Sequence, residues 1–266
     1  MSQNHFLVGF IYIILYNKAE AHNRLYNFYC GGYVCMEILK DKYGNKYEVE
    51  GTVLKKFIPS ALSAEIPEEI TKIGEKAFKD CDYVKSIVVP NSVISISSHA
   101  FSGCISLVDI NIPDSVKEIG WNSFGNCYKL AYVKIPAYIE SIGGNAFSGC
   151  RALSSIDLPD SLEAICRGAF ENCGLESVSI PKNVRLIMEA SFKGSALKTI
   201  SFNDCSIRKI ERETFCECSN LEKVIIPDSV VRIEKNAFSH CRSLTDVLIS
   251  DNTRFIGDEA FSTCSQ

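Results

Sequence analysis

The chain has 266 residues, of which 46% are hydrophobic and 23% are charged, and its formal net charge is −4. This composition is close to that of an average soluble globular protein, so it excludes a wholly disordered chain. Proteins that bind nucleic acid usually carry a basic patch. No run of Lys and Arg longer than two residues occurs here, so nucleic acid is not an expected partner.

The first element is an eleven-residue apolar run at Phe6–Tyr16. It is too short to span a bilayer comfortably, but it has the length of the hydrophobic region of a secretory signal, and Ala19–Ala21 offers an A-x-A-like cleavage site. Residues 1–5 contain no Lys or Arg, although signal peptides usually begin with a basic region. Three interpretations therefore stay open for residues 1–21: a cleaved signal peptide, an uncleaved anchor, and a buried strand of a cap.

Residues 22–60 lie outside the register of the repeat that follows, and we expect them to form an N-terminal cap over the first repeat. The Y-G-N-K sequence at Tyr43–Lys46 separates two apolar runs and predicts a hairpin turn. The cap contains Cys30 and Cys35, which are the candidate disulfide if the protein is exported.

Residues 61–266 contain an internal repeat of about 23 residues, which is clearest in the phenylalanines. An isoleucine stands five residues before each of them, and a cysteine stands three residues after all but one. Eight of the 13 cysteines thus belong to one column, and their number reflects the number of repeats rather than redox chemistry. The nine phenylalanines are Phe78, Phe101, Phe124, Phe147, Phe170, Phe192, Phe215, Phe238 and Phe261.

Each unit predicts a short parallel strand followed by a helical segment. In one unit, Leu107, Ile110 and Ile112 mark a strand with alternating apolar residues, and Pro113 ends it because proline cannot donate to a continuing ladder. Residues 115–127 are too few for a full helix and predict one or two helical or 3₁₀ turns on the opposite face. Such a unit is typical of a leucine-rich repeat. The predicted fold class is therefore an α/β repeat solenoid of nine units with one continuous core.

The unit I-P-x-S-V-x-x-I-G-x-x-A-F-x-x-C, seen at Ile112–Cys127 and Ile226–Cys241, resembles the BspA-type leucine-rich repeat. The resemblance covers residues 61–266. Proteins of that family are mostly surface-exposed or secreted, in bacteria and some unicellular eukaryotes, and several are adhesins that bind host matrix or plasma proteins, or other cells. The resemblance implies a protein ligand, such as an extracellular-matrix protein or another cell's surface protein, and an extracellular or cell-surface location.

The repeat departs from its pattern in two regions. One residue is missing after Cys173 and another after Ser195, and an extra residue follows near Asn203, which predicts a kink or bulged loop at residues 203–206. The last unit stops at Gln266 without a visible polar cap. Because solenoids normally end in such a cap, we expect either a fragment of a longer array or end-to-end self-association through the open C-terminal end.

The sequence contains no G-x-S-x-G, H-E-x-x-H, P-loop or G-x-G-x-x-G motif, and these carry the usual catalytic machinery. We therefore expect no enzyme, no cofactor and no small-molecule substrate. A metal site is not expected either, because no unit supplies clustered ligands for a tetrahedral ion. The column cysteines are expected to be buried thiols that act as small hydrophobic side chains.

A partner is expected to bind the strand positions that the core does not use. Tyr132 and Lys134 form an aromatic and cationic pair there, and tyrosine is a common interface hot spot. Ile225 and Leu248 form an exposed apolar pair. The other candidates are Asp109, Asp157, Lys223 and Asp246. An ordinary solvated sheet surface is the alternative interpretation of all eight positions.

Taken together, these features predict a non-enzymatic, adhesin-like binding protein that is secreted or held at a cell surface. The alternative is an intracellular leucine-rich-repeat scaffold, in which the first 60 residues fold into the cap and all 13 thiols stay reduced.

Overall fold

The structure, a computed structural model, describes residues 24–27 and 36–264. Within these residues the chain forms 21 strands joined by turns, and it forms no helix. An antiparallel meander comes first, and nine coils that each contain one of the repeat phenylalanines follow it. The strands of the meander are β1 (Arg24–Asn27), β2 (Met36–Lys40), β3 (Lys46–Glu50) and β4 (Val53–Ile58).

The meander packs directly against the first coil. A turn at residues 41–45 joins β2 to β3, where the sequence predicts a hairpin. Leu54 and Tyr47 are fully buried, and the ring of Phe57 stacks on that of Phe78 with 4.4 Å between centroids. The apolar side of the meander therefore covers the first coil of the solenoid core.

A hydrogen-bonded cluster around Asp41 ties the meander to the first coil. Its carboxylate accepts hydrogen bonds from Asn45 Nδ2 (2.7 Å), the hydroxyl of Tyr47 (2.8 Å) and the backbone N–H of Glu65 (3.0 Å). Asn45 is fully buried and also donates to the carbonyl of Ser63 at 2.9 Å. Burial alone would raise the pKa of Asp41, but the hydrogen bonds outweigh it and hold the pKa below its ordinary value.

Eight of the nine coils have a first strand, and all nine have a second strand and a turn segment. The first strand is short, and in most coils a corner that begins at a proline, such as Pro113, follows it. The first strands are β5 (Ser63–Glu65), β7 (Ser86–Val88), β9 (Asp109–Asn111), β11 (Tyr132–Val133), β14 (Ser177–Ile180), β16 (Thr199–Phe202), β18 (Lys223–Ile225) and β20 (Asp246–Leu248). They form two parallel four-stranded sheets, β5-β7-β9-β11 and β14-β16-β18-β20.

A second, two-residue strand contains the isoleucine that precedes each phenylalanine by five residues. These strands are β6 (Lys72–Ile73), β8 (Ser95–Ile96), β10 (Glu118–Ile119), β12 (Ser141–Ile142), β13 (Ala164–Ile165), β15 (Leu186–Ile187), β17 (Lys209–Ile210), β19 (Arg232–Ile233) and β21 (Phe255–Ile256). The second strands β6, β8, β10, β12, β13 and β15 continue the sheet of the meander, because β4 pairs in parallel with β6. The last three form a separate sheet.

The third stretch, which we call the turn face, runs from three residues before each phenylalanine to two residues after it. It shows that the predicted α/β class, with helical or 3₁₀ turns, is wrong, and that the described chain is a β-solenoid. Asn122 and Asn126, two residues either side of Phe124, have φ of 51° and 61°. A right-handed helix cannot pass through such left-handed residues.

Hydrogen bonding between coils explains why turns replace the helix. The N–H groups of Asn122, Phe124 and Asn126 donate to carbonyls of the next coil at 2.7–2.8 Å. They are therefore not available for the i→i−4 bonds of a helix. All nine coils have a left-handed residue at both positions. Asn and Gly, which tolerate this conformation, recur there and are the signal that the helical interpretation missed.

The core is one continuous stack of phenylalanine rings with aliphatic side chains around it. Successive rings from Phe78 to Phe261 lie 4.8–5.7 Å apart and within 26° of parallel. The column cysteines lie beside them, and Cys150 Sγ is 3.2 Å from the carbonyl of Phe124. Burial raises the pKa of the Cys150 thiol well above its ordinary value, so this group is protonated and can donate.

The irregularity predicted at residues 203–206 is present. Asp204 has φ of 50°, and its N–H donates to the carbonyl of Phe202 at 3.0 Å in a tight turn. The sheet of second strands is interrupted at the same point, between β15 and β17.

Candidate protein-binding face

The candidate surface is the outward side of the first strands, which we call the first-strand face. Along the first strands inward and outward residues alternate, as in β9, where Ile110 is buried and Asp109 and Asn111 are exposed. Backbone ladders between coils hold these strands in register. The exposed side chains therefore stand on a backbone that is fixed before any partner arrives.

Tyr132 and Lys134 occupy neighbouring outward positions, as predicted, but Lys134 is held in an ion pair. The Tyr132 side chain is 54% exposed. Lys134 Nζ lies 2.9 Å from Asp114 Oδ2, and this hydrogen bond, together with one from the Ala137 N–H, lowers the pKa of Asp114. The predicted cation is thus neutralised by a side chain of the preceding coil, and Tyr132 is the distinctive group at this position.

Ile225 and Leu248 form the predicted apolar pair. They are directly opposite one another in the β18–β20 ladder and are 52% and 61% exposed. On the same two strands Lys223 and Asp246 also face each other, with Nζ 2.6 Å from Oδ2. The sheet thus presents a small apolar patch beside a neutralised ion pair.

Between these groups the first-strand face is flat and polar. Ser201 Oγ donates to Ser179 Oγ at 3.1 Å, and Asn203 Nδ2 donates to the same oxygen at 2.8 Å. Of the remaining predicted residues, Asp109 accepts a hydrogen bond from Ser86 at 3.2 Å and Asp157 is exposed in a coil without a first strand. A partner could approach this middle section closely because no large side chain projects from it.

The predicted disulfide falls on Cys30 and Cys35, which lie outside the described residues. The eleven cysteines that the structure describes are all free thiols. Most are buried, and burial raises the pKa of Cys218 to about 12. These thiols belong to the core rather than to the exposed face.

Comparison with known proteins gives a family match over most of the chain. Residues 57–173 and 140–266 match the model of the BspA type Leucine rich repeat region, in six copies. Among curated proteins, none matches the chain with significance.

Solved structures of bacterial repeat proteins have a similar fold. A leucine-rich repeat protein from Bacteroides ovatus is 27% identical with a TM-score of 0.61; the match covers 91% of this chain but only 56% of that protein. A leucine rich cell surface protein from Faecalibacterium prausnitzii is 24% identical with a TM-score of 0.53, covering 90% of this chain and 80% of that one. The pneumococcal vaccine antigen PcpA is 19% identical with a TM-score of 0.58, covering 86% and 70%. The last two likenesses show the fold alone.

Proposed function

Since the chain belongs to the BspA-type leucine-rich repeat family, we propose that it is a non-enzymatic repeat protein that binds a protein partner at a cell surface or outside the cell. The proposed partner is an extracellular-matrix protein or a surface protein of another cell. The first-strand face is the proposed contact surface.

One observation carries this proposal: large exposed side chains, Tyr132 at one end and the Ile225–Leu248 pair at the other, flank a polar middle section of the first-strand face. Tyr132 lies four coils from the Ile225–Leu248 pair, which is about 19 Å at 4.8 Å per coil. Both fit within the roughly 800 Å² that one partner buries in a standard interface. Tyrosine is enriched among residues that dominate binding energy, and the ion pair beside the apolar patch supplies a polar rim.

The proposed location draws on the sequence at residues 1–21, which resembles a signal peptide and lies outside the described residues. It also draws on the family that residues 57–173 and 140–266 match, since proteins of the BspA type are mostly surface-exposed or secreted. Across the part of the chain that the structure describes, no helix is long and apolar enough to cross a membrane.

The binding face is tested with the double variant Tyr132→Ala/Leu248→Ser, assayed against immobilised fibronectin, laminin and fibrinogen. The matched control is Tyr138→Ala/Ile94→Ser, since these side chains are 70% and 53% exposed and lie off the first strands. The face variant should lose about tenfold or more in affinity, because a single hot spot contributes about 2 kcal/mol. Equal binding by both variants, with equal melting temperatures, would place the contact surface elsewhere.

Location is tested on the natively expressed protein by intact mass with and without reduction and alkylation. A mass that begins at His22, with oxidised cysteines, supports export and the extracellular ligand class. A full-length mass with 13 alkylatable thiols would overturn the proposed location and favour the intracellular scaffold.

A further inference from the structure

The turn face contains a trough that the protein-binding proposal does not use. It holds about 290 Å³, near the lower limit of small-molecule sites. Its lining comes from coils that follow one another along the axis: Trp121, Asn145, Arg167, Gly168, Glu171, Glu189, Ala190, Lys193 and Glu213. From Asn145 to Glu213 the trough crosses three coil steps, or about 14 Å at 4.8 Å per strand. The trough therefore extends along the solenoid axis.

The floor of the trough contains two small residues from one column of the turn face. The residue two positions before each phenylalanine is Lys, His, Asn or Glu in seven coils, but it is Gly168 and Ala190 in two successive coils. Their neighbours on either side keep long side chains, so the two small residues become a floor between walls. Above this floor lie the amide of Asn145 and the carboxylate of Glu171, both within 3.5 Å of where a Cβ on residue 168 would stand.

Trp121 forms the end wall, and the surrounding structure fixes its ring. The ring of His99 meets it edge-on at 4.5 Å, and Asn122 Nδ2 lies 2.9 Å from His99 Nδ1. On its other side the indole lies across the backbone of Gly144, where a Cβ would come within 2.8 Å of Trp121 Cδ1. The ring nevertheless stays 49% exposed. It is thus a preorganised aromatic surface rather than a core residue.

Most of the charged side chains along the trough form ion pairs with one another. Lys193 Nζ is 2.7 Å from Glu213 Oε2, and Arg212 Nη2 is 3.2 Å from Glu213 Oε1. Arg167 and Arg212 both approach Glu189 at 3.9–4.0 Å. Glu217 Oε1 also lies 3.9 Å from Lys193 Nζ. Together with Glu171, four carboxylates therefore meet three cations, and this small negative excess disfavours an anionic ligand.

We propose that this trough binds a neutral, linear oligosaccharide. The apolar face of a terminal sugar ring stacks on the indole of Trp121, which offers an apolar body and an N–H donor. Sugar hydroxyls, which both donate and accept, pair with the Asn145 amide, the Glu171 carboxylate and the neighbouring cations. A peptide would gain less, because the trough has neither a free strand edge to pair with nor an apolar pocket for a side chain.

The chain has a single tryptophan, so tryptophan emission, excited outside the tyrosine absorption band, comes from Trp121 in this site. The full chain is titrated with tetrasaccharides of β-1,4-glucose, α-1,4-glucose, β-1,4-N-acetylglucosamine and α-mannose, and in parallel with a heparin tetrasaccharide and a neutral hexapeptide. At least one neutral tetrasaccharide should give a saturable emission change. No response to any of the four would overturn the proposal, as would a stronger response to the heparin fragment or the peptide.

Variants show whether a response comes from the trough. Ala190→Asn refills the floor with a residue that the same column carries at Asn145 and Asn236, where φ is 54° and 56°, so folding is preserved. Ala190→Asn and Glu171→Ala should each weaken tetrasaccharide binding about tenfold or more, while Tyr138→Ala leaves it unchanged. Trp121→Leu should weaken tetrasaccharide binding to the same extent as Ala190→Asn, with binding measured by calorimetry. Full-strength binding by Ala190→Asn with an unchanged melting temperature would overturn the proposal.

Discussion

The ring stack predicts that an inner phenylalanine contributes far more to stability than any exposed aromatic residue. Phe147 is fully buried, and its ring lies between Phe124 at 5.3 Å and Phe170 at 5.7 Å, within 6° of parallel to both. Phe147→Ala removes the ring and leaves a cavity between two rings that the backbone ladder holds apart. Phe→Ala changes in cores destabilise by about 3–5 kcal/mol.

The upper part of that range is expected because the site cannot collapse. The N–H of Phe147 donates to the carbonyl of Ala169 at 2.8 Å, and equivalent bonds fix each neighbouring coil. We therefore expect a loss of about 4–5 kcal/mol, which corresponds to roughly 8–20 °C in melting temperature for a domain of this size.

The assay is urea unfolding followed by far-UV circular dichroism, with Tyr138→Ala as the control because its side chain is 70% exposed. Exposed substitutions usually change stability by less than about 0.5 kcal/mol. If Phe147→Ala lowered the free energy of unfolding by less than about 1 kcal/mol, with an unchanged dependence of that free energy on urea concentration, the column of rings would not be the core. That result would refute the reasoning.

Three further predictions concern the turns, the meander and the thiols. Asn126→Ala should destabilise the protein by about 1–2 kcal/mol, because alanine is strained at φ of 61°. Asn126→Gly should be near neutral. Equal stability of the two variants in urea unfolding would contradict the left-handed turn. The depressed pKa of Asp41 implies a stabilising contribution that is complete above the ordinary carboxyl pKa of about 3.9 and is lost as pH falls through the folded-state pKa. Between about pH 6 and pH 2, the free energy of unfolding should therefore fall less in Asp41→Asn than in the unaltered protein. An equal fall in both proteins would contradict this prediction. Cys150 and Cys218 should resist iodoacetamide in native buffer and react in urea, because both thiols are buried and have raised pKa values. The labelled sites are identified by peptide mass mapping. Rapid labelling of either thiol in native buffer would disprove the burial of the cysteine column.

The candidate face was partly predictable from the sequence. The period-2 pattern within each unit identifies Ile225 and Leu248 as outward, and the common unit length aligns them on adjacent strands. The pairing of Lys134 with Asp114 was not predictable, because it depends on how far a side chain reaches across to the preceding coil. The trough beside Trp121 was missed for a similar reason, since its floor consists of small residues that are spaced one coil apart.

The sequence by itself determined the repeat, the number of coils and the inward side chains. The reason is that a constant period places equivalent residues one above another, and each apolar column can be buried only by stacking. The tertiary structure decided the conformation of the segment around each phenylalanine. There an isolated unit could form a helical turn, but N–H groups such as that of Phe124 bond to the next coil instead. That choice depends on a neighbour being present, so it converts a predicted helical face into a face of left-handed turns.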